Sequence, residues 1–183
     1  MTPPPTPTGP ITTVLFDFAG VLTSSPWEAL ALAGGGNLEL MIGSYEEDTD
    51  HPWHQVERGE LAIVDWIGAV TELGAEAGVE IDFGVLRSLL GDMTIHTEMV
   101  EAVRDLRQRG YRLGLITNNV REGSATWRAM VPVDELFDVV VDSSEVGMRK
   151  PNPAIYHHTL ALLAVDDPAT AVFLDDSPGN VVG

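Results

Sequence analysis

Three short apolar runs in this chain each end in residues that could do chemistry together. In VLFDFAGVL, Val14 to Leu22, strand-forming residues bracket one carboxylate, Asp17, and Gly20 lets the backbone leave sharply. YRLGLITNN, Tyr111 to Asn119, closes on Thr117 and Asn118, and Ala171 to Leu174 delivers Asp175-Asp176. Lys150 lies in SSEVGMRKPNPAIY. A lone carboxylate, a carboxylate pair, a hydroxyl-amide pair and a lysine would together make a site for a hard cation and a phosphate. Oxygen ligands suit Mg²⁺, which keeps several waters and uses one or two carboxylates plus substrate oxygens. Thr117 and Asn118 offer donors to phosphoryl oxygens, and Lys150 a point charge. Taken singly, each piece also has a structural reading; Asp17 could equally cap a turn.

For these residues to meet, the elements that carry them must lie side by side. Strands are expected over 12–18, 111–119, 137–141 and 171–174. The helices between them are expected at Met99–Arg109, with Thr97 as N-cap and Gly110 at a left-handed C-terminal position, and at Glu122–Met130. A further helix opens at Asn152-Pro153 and runs to Ala164. Strands alternating with helices imply an α/β fold with a doubly wound parallel sheet and right-handed crossovers. In such a sheet the strand tips share one edge, so Asp17, Thr117-Asn118 and Asp175-Asp176 converge. Nothing between 24 and 93 alternates like a strand. Helices are expected there at Trp27–Ala33, Leu38–Ile42, Glu60–Leu73 and Phe83–Leu90, with a polar segment over Ser44–Gly59 that reads as loop and short helix. The expected organisation is a Pro/Thr tail at 1–10, taken as disordered, a core at 11–23 and 94–183, and an inserted helical cap at 24–93.

Composition narrows the partners. The 183 residues carry 28 acidic side chains against 10 Lys and Arg, a net charge of −18, which argues against affinity for nucleic acid backbone. No apolar run approaches the roughly 18–20 residues that would span a membrane, and the first ten residues do not read as a signal peptide. With no Cys there is neither a disulfide framework nor a thiolate metal site. The cytoplasm is the default location.

Taken in order, FDFAGVL, LITNN, VGMRKPNPAIY and VFLDDSPGN resemble the four motifs of the haloacid dehalogenase (HAD) superfamily of hydrolases, with a helical cap between the first and second. The variant looks closest to the N-terminal phosphatase domain of soluble epoxide hydrolases. That resemblance implies a Rossmann-like core and an Mg²⁺-dependent phosphatase acting on a small phosphorylated metabolite. It implies Asp17 as the nucleophile that becomes an aspartyl-phosphate, and Thr117 and Asn118 as the phosphate holders. Lys150 would neutralise and orient the nucleophile. Asp17, Asp175, Asp176 and the backbone carbonyl of Ala19 would hold the metal.

Ala19 departs from the pattern, because family phosphatases carry there a second Asp that protonates the leaving oxygen. General acid/base help of that kind is worth about 10²- to 10⁴-fold, so a weak enzyme, or a descendant that only binds, is the alternative. The family's dehalogenase branch also lacks this Asp, but tends to have Ser and Asn where this chain has Asp175-Asp176. The sequence shows no fifth strand after Leu174, which would leave the fourth as an apolar edge open to pairing, as in a homodimer. His51 and His54 read as a solvated cap loop. With Glu46, Glu47 and Asp48 they are also candidates for the missing proton. Glu145 and Arg149 read as loop charges, His157-His158 as a surface pair, and the tryptophans as packing residues, with Trp53 alone suspected of touching substrate.

Overall fold

The computed structural model describes residues 10–91 and 93–182, so all but the last residue of the Pro/Thr tail lies outside the described residues. Four parallel strands, β1 (Thr13–Phe16), β2 (Arg112–Thr117), β3 (Val139–Asp142) and β4 (Ala171–Leu174), form one sheet in the order β3-β2-β1-β4. Phe16 sits opposite both Leu115 and Leu174, and Thr117 opposite Asp142, so the strand tips finish level. Because side chains alternate along a strand, the sheet has two apolar faces. Val14, Phe16, Leu113 and Leu115 belong to one buried cluster; Leu15, Ile116 and Val141 belong to the other.

Ten α-helices are described. The cap holds α1 (Trp27–Ala33), α2 (Leu38–Ile42), α3 (Pro52–Glu57), α4 (Ile63–Ala77) and α5 (Phe83–Gly91). After it come α6 (Thr97–Gln108), α7 (Ser124–Met130), α8 (Val133–Leu136), α9 (Ser143–Val146) and α10 (Pro153–Leu162). Val100 and Val103 of α6, Trp127 of α7 and Leu136 of α8 cover the first face, and Ile155 and Leu160 of α10 the second. Burying a side chain such as Phe16 is worth about 1.5–3 kcal/mol, and this residue is wholly enclosed. None of the described helices is long and apolar enough to cross a membrane.

The cap has its own core around Trp66, whose indole N–H donates to the Met41 carbonyl at 3.3 Å while its ring meets Trp53 and Phe83 edge-on. The chain enters and leaves it side by side: Thr23 bridges Ile95 and the Ser24 N–H donates to the Thr94 carbonyl at 2.8 Å. Two local expectations need correction. Thr97 is the first helical residue of α6 and not its cap; His96 holds that position, its ring turned to the Val21 carbonyl. The helix expected from Glu60 begins at Ile63, because the N–H groups of Glu60 and Leu61 still close the preceding helix on the Gln55 carbonyl at 2.8 and 3.2 Å, and it runs on to Ala77. The four-residue helices α8 and α9 are too short to show a period in sequence. Along β4, Val172 and Leu174 are more than a third exposed, so among the described residues that edge is open.

Candidate active site

The turn after β1 brings Asp17 to the tip of the sheet, nearly buried, with its Oδ1 2.8 Å from Lys150 Nζ and accepting the Phe18 N–H at 2.6 Å. Lys150, wholly buried, also donates to Asp175 Oδ2 at 2.6 Å. Asp175 is filled from the other side by the Ser177 N–H at 2.8 Å and by the Asn180 amide at 3.0 and 3.1 Å. Asp176 is more open, and its carboxylate lies with those of Asp17 and Asp175 inside 4.8 Å. Its place depends on Gly20: at φ +80° a Cβ there would sit 2.0 Å from Asp176 Oδ2. Residues 17, 150, 175 and 176, far apart in sequence, are thus one cluster.

Thr117 is fully buried, and its Oγ1 takes an N–H from Asn119 at 3.3 Å. Asn118 clamps the lysine's backbone in both directions, donating to the Lys150 carbonyl at 3.0 Å and accepting its N–H at 2.8 Å. Asn118 and Asn119 line a cavity of about 640 Å³ that opens over Asp17, Ala19 and Lys150; Thr117 does not. All four tryptophans, 27, 53, 66 and 127, line it too, so aromatic packing and cavity wall are the same thing here. Trp127 is held by Phe18, 5.0 Å away ring to ring, and by Asp142, which accepts its indole N–H at 3.3 Å. Neither Asn119 nor Asp142 stands out in sequence. The signal available for Asp142 was VVVDSS, a third strand run ending in polar residues like the others.

Two readings of single residues do not hold. His54 is not solvated: it is fully buried, its Nδ1 accepts the Thr49 N–H at 2.9 Å, and burial, with Arg149 near by, pushes the imidazole down to about 4. Arg149 is a buried ion-pair partner and not a loop charge, whereas Glu145 does pair with Arg128 at the surface. None of the proton candidates Glu46, Glu47, Asp48, His51 and His54 lines the cavity, whereas Ser44, Tyr45 and Glu57 of the cap bring a hydroxyl or carboxyl group to its wall.

One lysine serves two buried carboxylates, and this decides the electrostatics. Burial raises the Asp17 carboxyl to about 7 despite Lys150, with Asp175 adding to the rise. Burial pulls the Lys150 ammonium down, but the two carboxylates outweigh it and hold it above the ordinary lysine value. Partial burial and Asp175 raise Asp176 as well. A cluster of hard oxygen donors with an excess of negative charge fits a divalent cation better than it fits nothing.

Such a cation should announce itself in stability. Because Asp17 has a higher pKa folded than unfolded, its contribution is full below the unfolded value of 3.8 and is lost as pH rises through about 7. Added Mg²⁺ is therefore expected to raise the melting temperature more at pH 8 than at pH 5.5, where protons compete for the carboxylates. At 100 times its dissociation constant the gain is about 2.7 kcal/mol, or about 5–11 °C for a chain of this size. Differential scanning fluorimetry with Mg²⁺ and with EDTA checks this; no shift at pH 8 contradicts it.

The model of the haloacid dehalogenase-like hydrolases matches residues 11–183, and the chain belongs to that family. It is 29% identical over 180 residues to mouse acyl-CoA dehydrogenase family member 10, covering 92% of this chain and 16% of that protein. It is 27% identical to mouse bifunctional epoxide hydrolase 2 (84% and 29%), so it spans less than a third of either. Pyrophosphatase PpaX of Bacillus cereus is 26% identical, over 94% of this chain and 78% of that one. A HAD family enzyme from Bacteroides thetaiotaomicron, solved with magnesium and inorganic phosphate, superposes with a TM-score of 0.64 at 21% identity, over 93% of this chain and 87% of that one. L-2-haloacid dehalogenase from Xanthobacter autotrophicus shares the fold at 0.54 and 20%, over 89% and 69%. The fold is that of the family.

Proposed function

We propose that the protein is an Mg²⁺-dependent phosphatase that acts in the cytoplasm on small phosphate esters with an apolar body. The observation that carries the reading is the chain of contacts from Asp17 through Lys150 to Asp175, with Asp176 beside it, where Asp17 and Lys150 line a cavity walled on the cap side largely by aromatic and aliphatic side chains. Asp17 is the nucleophile: its oxygen forms the bond to phosphorus as the bond to the ester oxygen breaks, leaving an aspartyl-phosphate. Lys150 orients Asp17 and offsets phosphoryl charge, held in place by Asp175 and by Asn118. Asn118 and Asn119 face the phosphate, with Thr117 supporting Asn119 from within the core. Asp17, Asp176 and the Ala19 carbonyl would hold the Mg²⁺, helped by Asp175, and the bound ion would stabilise charge on the transferring group. The magnesium and phosphate bound by the Bacteroides enzyme and the pyrophosphatase among the relatives support this reading.

Trp27, Trp53, Trp66, Trp127, Ile42 and Phe83 give the cavity its apolar wall, which favours an aliphatic or aromatic substituent on the phosphate over a sugar. Ala19 supplies no proton, so the leaving group must leave unaided or be served poorly. p-Nitrophenyl phosphate is expected to be hydrolysed with Mg²⁺ and not with EDTA, and an alkyl phosphate of similar size at least about 10²-fold more slowly. No turnover of either ester would favour the binding-only alternative, and equal turnover would mean that Ala19 costs nothing.

A further inference from the structure

Immediately before the lysine stands a buried cation that the reaction does not use. Arg149 is 5% exposed, and its Nε donates to Glu57 Oε2 at 2.7 Å; Glu57, at the end of α3 in the cap, is 2% exposed. The same guanidinium donates to the Glu47 carbonyl at 3.3 Å and lies 3.8 Å from Asp48 Oδ1. Asp48 accepts the Asn152 amide at 3.4 Å. Cap residues therefore grip the segment 149–152 from one side while Asn118 and Asp17 grip Lys150 from the other. Both members of the pair line the cavity. A buried ion pair is a poor source of stability compared with apolar groups of the same volume, whereas its planar, directional geometry is well suited to setting a position.

We propose that Glu57 is a positioning residue: through Arg149 it sets Lys150 against Asp17, so that the phosphate pocket is complete only when the cap's α3 is docked on the core. This rests on the phosphatase reading of the site, and the test separates the two. Three variants, Glu57→Gln, Glu57→Asp and the apolar pair Glu57→Leu with Arg149→Met, are compared with wild type in three measurements. These are p-nitrophenyl phosphate turnover with Mg²⁺, orthovanadate affinity read by tryptophan fluorescence, and melting temperature. Glu57→Gln should lower all three, because it strands the arginine. The apolar pair should recover the melting temperature, yet keep kcat and vanadate affinity about 10- to 100-fold low, the cost of a reacting group displaced by about an ångström. Glu57→Asp, which withdraws the carboxylate by one methylene, should show the same loss of kcat and affinity with little loss of stability. Full kcat and affinity in the apolar pair, or in Glu57→Asp should the pair not fold, would reduce Glu57 to a packing role and overturn the proposal. If wild type binds vanadate but turns over no ester, the phosphatase reading fails while the vanadate arm still decides this one. If it binds no vanadate, both fall.

Discussion

Asp17→Asn is expected to cut p-nitrophenyl phosphate turnover by at least about 10³-fold, because an amide oxygen cannot form the aspartyl-phosphate. The same change should leave the fold standing. The Phe18 N–H can still donate to the Asn carbonyl oxygen, and Lys150 retains Asp175 at 2.6 Å. Relieved of one of two buried carboxylates that share a lysine, the metal-free variant is expected to melt no lower than wild type at pH 8, where Asp17 is ionised at a cost. It should also lose most of its stabilisation by Mg²⁺, since a ligand has gone. Initial rates and melting curves with and without the metal test both halves. A variant that keeps a tenth of the activity would remove Asp17 from the chemistry, and one that unfolds would make it a structural acid.

Ala19→Asp is expected to act in the opposite direction. Turnover of an alkyl phosphate should rise by about 10²-fold or more, while that of p-nitrophenyl phosphate, whose phenolate leaves without a proton, changes much less. Residue 19 lines the cavity beside Asp17, and its backbone is held by a bridge to Thr23, so a longer side chain enters open space without moving the turn. The new carboxyl joins a site that already raises its acids, which keeps it protonated for donation. By microscopic reversibility it would also take a proton from the water that hydrolyses the intermediate. The ratio of alkyl to aryl kcat is the quantity to measure. An unchanged ratio would mean that residue 19 is not what limits the turnover of alkyl esters.

Much of the site was legible because it sits where strands end. Asp17, Thr117 and Asp175-Asp176 each close an apolar run, and parallel pairing carries such ends to one edge whatever lies between them. Asn152-Pro153 announced α10 by local chemistry alone, and the Asn side chain does accept the Ala154 N–H at 3.0 Å. The division of work within the site was not legible. Asp175 and Asp176 are neighbours in sequence, yet one is saturated by Lys150, Ser177 and Asn180 while the other stays open, a difference made by Gly20 and Asn180. The Glu57–Arg149 pair joins residues 92 apart, and no local pattern encodes a contact of that range. His54 misled for the same reason: HPWH sits in a polar stretch, but the helix it opens turns this ring inward.

Trapping the phosphorylated enzyme tests the proposed chemistry most directly. With residue 19 unable to activate the hydrolytic water, the intermediate should accumulate during turnover of p-nitrophenyl phosphate with Mg²⁺. Acid quenching followed by borohydride reduction should then convert Asp17 to homoserine, located by peptide mass analysis, and EDTA should abolish the product. Release of phosphate with Asp17 unmodified, or reduction at any other residue, would contradict Asp17 as the nucleophile.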